Sequence, residues 1–144
     1  MGIGIGMGFH RLISHRSFQV PKWLEYALVL FGTLAGQGGV FGWVGYHRLH
    51  HLHTDKDLDP HDSTKGMWWS HISWLMHEVP VQYQLPKFTR DISQDPFYRF
   101  CHKQYIPLQI ALALIFFCSG GLPFLVLFGV FRLVVGFLTS CLFF

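Results

Sequence analysis

Charge is the scarcest property of this sequence: 13% of its 144 residues are Asp, Glu, Lys or Arg, while 51% are apolar. Soluble domains carry about 25% charged residues, so an ordinary water-soluble globule is excluded and a membrane class fits. No charged residue falls between Tyr26 and Tyr46, and Arg132 is the single one from Gln104 to Phe144. Runs of that length suit a hydrocarbon core of roughly 30 Å, which takes about 20 apolar residues to cross. Cysteine is equally thin. Cys101, Cys118 and Cys141 are odd in number and widely spaced, which gives no disulfide framework and no C-x-x-C metal site. The formal net charge is only +3 and no basic run is interleaved with aromatics, so a nucleic-acid partner is discounted. Residues 1–8 lack a basic n-region, and they read as the tail of a membrane helix, not as a secretory leader.

What the chain has in excess is histidine, ten in all. In Gly45-Tyr46-His47-Arg48-Leu49-His50-His51 a helix sets His47 and His51 one turn apart with His50 beside them, so three imidazoles converge on one point. His10 and His15 are five apart, about 140° on a regular helix, which leaves two options: they serve two different ions, or they straddle a helix end. Neutral imidazole suits iron, copper and zinc, and five histidines beside apolar segments suggest an oxidative metal centre. A zinc hydrolase is the competing metal reading, but no H-E-x-x-H glutamate is present to act as base.

Taken in order, glycines at 2, 4, 6 and 8 allow close helix packing, with a flexible tail as the alternative. Arg11, Arg16 and Lys22 mark an exit on the cytoplasmic or stromal side. Pro21 is placed to start a helix. Residues 23–44 are long enough to cross a bilayer, yet both histidine boxes must meet at one site, so a re-entrant or interfacial helix is expected. Gln37 is polar in apolar surroundings and is expected either to pair with backbone or to serve a site. Residues 52–63 form a carboxylate-rich loop able to orient imidazoles or simply to be solvated. Trp68, Trp69 and Trp74 form a boundary cluster, with an interfacial helix at residues 67–76. Lys87, Arg90, Arg99 and Lys103 agree with a cytoplasmic face. The apolar run from Tyr105 to Cys118, a turn at residues 119–123 and a return from Phe124 predict a transmembrane hairpin, in which Arg132 needs a partner or a polar cavity.

Four stretches carry a resemblance: H-R-L-I-S-H-R-S-F at 10–18, G-Y-H-R-L-H-H at 45–51, D-P-H-D-S at 59–63 and G-M-W-W-S-H-I-S-W at 66–74. Together they resemble the membrane fatty-acyl desaturases of the delta-9 type, over about residues 1–133. The resemblance implies an all-α membrane protein with a transmembrane helical hairpin and interfacial helices bearing the histidine boxes. It implies two non-haem irons that activate O2 and remove two hydrogens from a saturated acyl chain, leaving a cis double bond. By the same resemblance His10, His15, His47, His50 and His51 are iron ligands, while His53, His61, His71, His77 and His102 lie outside the ligand motifs. Gln37 and Trp43 match residues lining the bend of an acyl tunnel; Trp43, one turn before His47, is otherwise an interface anchor.

Departures from the pattern are informative. Gly38, Gly45 and Tyr46 before the second box, and His77 and Glu78 later, replace the charged and amide side chains with which animal relatives grip coenzyme A. The implied substrate is therefore an acyl group on a membrane glycerolipid, less readily acyl-CoA, as in cyanobacterial and plastid enzymes. Implied electron donors are ferredoxin or a cytochrome b-type protein. The setting is a thylakoid, plasma or endoplasmic-reticulum membrane. The family's third box, H-x2-H-H, is absent, and the resemblance fades beyond Leu133. The expectation is one desaturase domain over 1–144, truncated: a membrane-helix end and first box at 1–22, the re-entrant or interfacial helix at 23–44, second box and cytoplasmic region at 45–103, hairpin at 104–144. A di-iron hydroxylase and a truncated, non-catalytic membrane protein are the alternatives.

Overall fold

The computed structural model describes residues 2–77 and 85–142, and among these the regular structure is entirely helical. The order is α1 (Ile3–Ser14), α2 (Lys22–Leu34), α3 (Val40–His53), α4 (Met67–His71), α5 (Leu85–Phe88), α6 (Pro96–Lys103), α7 (Tyr105–Phe124), α8 (Leu125–Phe131) and α9 (Arg132–Leu142), with 3-10 turns at Ser63–Lys65 and Ser73–Met76.

The core forms where α1, α2, α3 and α6 meet. Phe9, Val29, Val40, Val44 and Cys101 have no exposed surface there. Glycine makes the α1–α2 contact possible. Side-chain carbons built on Gly4 and Gly8 would strike the backbones of Phe31–Gly32 and Leu28, and one on Gly32 would lie 2.6 Å from the Phe9 ring. Of the four alternating glycines, Gly4 and Gly8 are the buried ones. Residues 3–14 are thus a packed helix and no tail.

The segment expected to be one re-entrant or interfacial helix is two helices parted by a break. Gly36 and Gly38 take φ of +81° and +102°, a region open to glycine at little cost, and this ends α2 and re-aims the chain into α3. Pro21 immediately precedes α2, its carbonyl accepting from the amides of Leu24 and Glu25. Asp95 caps α6 by accepting from the amides of Phe97 and Tyr98, with Pro96 in the first turn, as cap chemistry favours. The expected helix at residues 67–76 is instead α4 and a 3-10 turn parted at Ile72.

Tyr105–Gly136 is a 32-residue apolar stretch whose best window has a mean hydropathy of 2.4 and is unburied. Its direction breaks at Gly120 and Gly121, the latter at φ +66°, within the turn the sequence predicts. Gln109 and Arg132 lie 23 positions apart, which would be about 35 Å on a straight helix. They nevertheless reach adjacent carbonyls: Gln109 Nε2 donates to Thr33 O at 2.8 Å and Arg132 NH1 to Leu34 O at 2.6 Å. Arg132 thereby has the partner it was expected to need, at the negative C-terminal end of α2. Residues 143–144 of the expected return arm lie outside the described residues.

Candidate metal centre

α1 is wound as a π-helix, and this resolves the five-residue spacing of the first box. Hydrogen bonds in such a helix run from i to i+5, and the His15 amide donates to the His10 carbonyl at 3.0 Å. The two rings therefore meet edge to face on one side of the helix end, centres 4.6 Å apart, and do not splay by the angle of a regular helix. Their Nε2 atoms are 3.1 Å apart, with His15 as the C-terminal cap. Of the two options left by the sequence, the helix-end one is realised.

α3 brings the second box against them. His15 Nε2 lies 3.1 Å from His47 Nε2, which lies 3.0 Å from His51 Nε2. The ligand atoms of His10, His15, His47 and His51 all fall within 4.8 Å of one another. Two nitrogens that share one ion at about 2.1 Å each sit about 3.0 Å apart when the bonds are at right angles. The spacing and an all-imidazole donor set therefore fit a first-row metal ion. The electrostatics agree. Burial first, and then the neighbouring imidazoles, push His47 down to about 2, and the same causes lower His10 and His51. These shifts favour neutral His10, His47 and His51, the form that binds metal.

His50 stands apart from this set, so the expected convergence of three imidazoles of the second box is corrected to two. Successive side chains on a helix diverge by about 100°, which turns His50 away from His51 and toward the 54–63 loop. There its Nδ1 lies 2.9 Å and 3.0 Å from the two oxygens of Asp59. The ring of His61, outside the ligand motifs, stacks on it at 4.0 Å. Asp59 is 2% exposed and accepts further bonds from the amides of Asp55 and His61. Of the carboxylates in the loop, it is the one that orients an imidazole; Asp62 caps the turn at Thr64. His50, Asp59 and His61 form a second group of close ligand atoms.

Trp43 lies stacked on His47 with ring centres 5.0 Å apart, as its spacing of one helical turn predicts. It also lines a cavity of about 630 Å³ together with Gln37, Gly42, His47, His50 and Trp74. Gln37 pairs with backbone, its Nε2 donating to Gly136 O at 3.0 Å, and it also lines this cavity. His71 is at the cavity wall as well, while His102 packs on Phe41. Glu78, named among the departures from the coenzyme A pattern, lies outside the described residues.

Arg48, inside the second box, was not singled out by spacing. Its guanidinium donates to Phe88 O at 2.6 Å, to Ile13 O at 2.7 Å, and to both oxygens of Asp91 at 2.7 and 3.0 Å. Burial alone would raise the Asp91 carboxyl; the bonds from Arg48 and Arg16 outweigh it and hold it below the usual carboxylate value.

Helices that gather histidines from two separated boxes beside a mostly apolar cavity make an arrangement able to hold a metal ion, and the family model for fatty acid desaturases matches residues 1–144, past the Leu133 where the motif resemblance fades. The chain belongs to the fatty acid desaturase family. It is 60% identical over 137 residues to the sn-1 stearoyl-lipid 9-desaturase of Synechocystis sp., covering 94% of this chain and 43% of that protein. Over 133 residues it is 51% identical to the sn-2 palmitoyl-lipid 9-desaturase of Nostoc sp., 90% of this chain and 46% of the relative. The chloroplastic palmitoyl-monogalactosyldiacylglycerol delta-7 desaturase of Arabidopsis thaliana is 40% identical over 126 residues, 86% of this chain and 34% of its own length. The chain spans less than half the length of these curated relatives.

Proposed function

We propose that this chain is the part of an acyl-lipid delta-9 desaturase that carries its first two histidine boxes and the bend of its acyl cavity. The single observation that carries the reading is the meeting of four imidazole nitrogens from α1 and α3 beside a cavity walled by Trp43. In this reading His10, His15, His47, His51 and His50 hold a non-haem di-iron centre together with ligands from elsewhere in the intact protein. The irons, when bound, supply O2 activation. The chain's own residues do the rest: α1–α3 packing fixes the ligands, Asp59 fixes the His50 ring through Nδ1 and leaves Nε2 for metal, and the apolar wall excludes water.

The substrate in this reading is a saturated acyl chain on a membrane glycerolipid, threaded past Trp43 with Gln37 at the bend, so that the carbons to be dehydrogenated lie beside the histidines. The names of the cyanobacterial relatives support lipid-bound substrates. The unburied apolar surface of Tyr105–Gly136 and the fold-back at Gly120–Gly121 support a hairpin in the bilayer. The exposed Met67, Trp68 and Met76 support an interfacial seat for residues 67–76. The histidines then face the cytoplasm or stroma of a thylakoid or plasma membrane, where ferredoxin or a cytochrome b-type protein delivers electrons.

The test is expression of the intact protein in a desaturase-deficient host, with gas chromatography of acyl chains and iron counted per chain. Unsaturated product that vanishes in His47→Ala, with reduced iron and an undiminished yield in the membrane, is the expected result. A His47→Ala protein with full activity overturns the reading.

A further inference from the structure

Two arginines that flank ligand histidines converge on one carboxylate from a third part of the chain. Arg48 follows His47 and Arg16 follows His15, and both pair with Asp91, in the turn after α5. The two contacts are unequal. The Arg48 side chain is 19% exposed, fixed by bonds to both Asp91 oxygens, while that of Arg16 is 68% exposed. A shielded two-point pair of planar groups fixes direction as well as distance, whereas an exposed ion pair contributes little. Arg48 also spends its second nitrogen on Ile13 O, 2.7 Å away, two residues before His15. That carbonyl belongs to the last turn of α1, where acceptors lack helical partners. A single guanidinium therefore touches the backbone of the first box, is borne by the second, and is aimed by Asp91.

We propose that Asp91 is a positioning residue for the metal centre: by gripping Arg48 it holds the carbonyl of Ile13, and so sets the spacing between His10–His15 on α1 and His47–His51 on α3. The inference rests on the metal-binding reading of those four histidines. Core packing brings the two helices together but is tolerant of small slides, whereas ligands around an ion tolerate only fractions of an ångström. The pair supplies a directional stop that apolar contacts lack.

The test uses the intact protein in nanodiscs, stripped of metal and titrated with Co2+ alone, reading affinity and the visible absorption of imidazole-bound cobalt. Asp91→Asn is expected to weaken His47-dependent Co2+ binding by about tenfold or more and to alter the absorption band. Arg48→Lys, which keeps the charge but offers one point of contact, is expected to do the same while folding normally, and it decides the matter if Asp91→Asn does not fold. Arg16→Ala is expected to change affinity by less than about fivefold. Asp95→Asn removes an ion pair with Lys22 away from the boxes, while its amide oxygen can still accept from the amides of Phe97 and Tyr98, and it is expected to leave the cobalt spectrum intact. Wild-type cobalt affinity and spectrum in Asp91→Asn or Arg48→Lys overturns the proposal, as does an equal loss in Asp95→Asn. Should the wild type bind no Co2+ that His47→Ala abolishes, the metal reading itself fails and takes this proposal with it.

Discussion

The two histidine groups are built on opposite principles. His10, His15, His47 and His51 come from two helices and pack against one another's rings. Their meeting is an outcome of helix packing. His50 and His61 sit with Asp59 on a helix end and the loop that follows it, within 12 positions of each other. Their meeting is local and is held by a buried carboxylate. The first group therefore depends on everything that spaces α1 from α3, and the second on the hydrogen bonds of one loop. Perturbing one should leave the other standing.

The largest expected effect comes from Gly8. Its added Cβ in Gly8→Ala would stand 2.7 Å from the Leu28 carbonyl oxygen and 3.1 Å from its carbon. Those are backbone atoms of a packed helix, and overpacking of this kind costs about 1–3 kcal/mol or more. α1 is pushed off α2, and His10 and His15 move with it. His47-dependent metal is expected to be lost. Hydrogen exchange at the amides of Asp55 and His61, which donate to Asp59, should stay as slow as in the wild type. Fast exchange at both amides in Gly8→Ala would show that the two groups are not independent.

Asp59→Asn reverses the experiment. The buried carboxylate accepts from two amides and faces His50 Nδ1, and an amide nitrogen in its place leaves a donor opposed to a donor, at about 1–3 kcal/mol. The expectation is a drop in activity of about 10- to 100-fold, the range for loss of a group that orients a metal-bound imidazole, with the cobalt spectrum of the four-histidine group unchanged. Asp57→Asn, in the same loop but exposed, should be silent. Equal effects of the two substitutions would reduce Asp59 to a solvated loop residue.

The contrast also separates what was legible in the sequence from what was not. Trp43 beside His47, and a partner for Arg132, follow from helical spacing and from the cost of a lone charge among apolar residues, and both are in the fold. The break at Gly36–Gly38 could have been read from the glycines, but the apolar length of residues 23–44 outweighed them. The π-winding of α1 could not: no residue pattern announces it. His50 was misplaced because three neighbouring histidines were read as one face, although its next neighbour on a helix necessarily points elsewhere. Asp91 lies 43 positions from Arg48, and a pairing at that distance leaves no periodic trace.

The smallest expected effect is on acid sensitivity, and it follows from the all-imidazole character of the first group. In the folded, metal-free protein burial and neighbouring rings hold His47 at about 2, while in the unfolded chain an ordinary histidine titrates near 6.5. Below that value the unfolded state binds a proton that the folded state refuses, so stability falls as pH drops. For His47 alone the loss is on the order of 1 kcal/mol per pH unit once the pH is below the ordinary histidine value. His10 and His51 are shifted in the same direction and steepen the slope. Thermal unfolding of chelator-treated protein between pH 7 and pH 5 should show the decline, and His47→Gln should flatten it. Asp59→Asn should steepen it slightly, because burial lowers His61 as well and the Asp59 charge works against that shift. A metal-free protein that gains stability on acidification would mean that His47 is not buried against the other three rings.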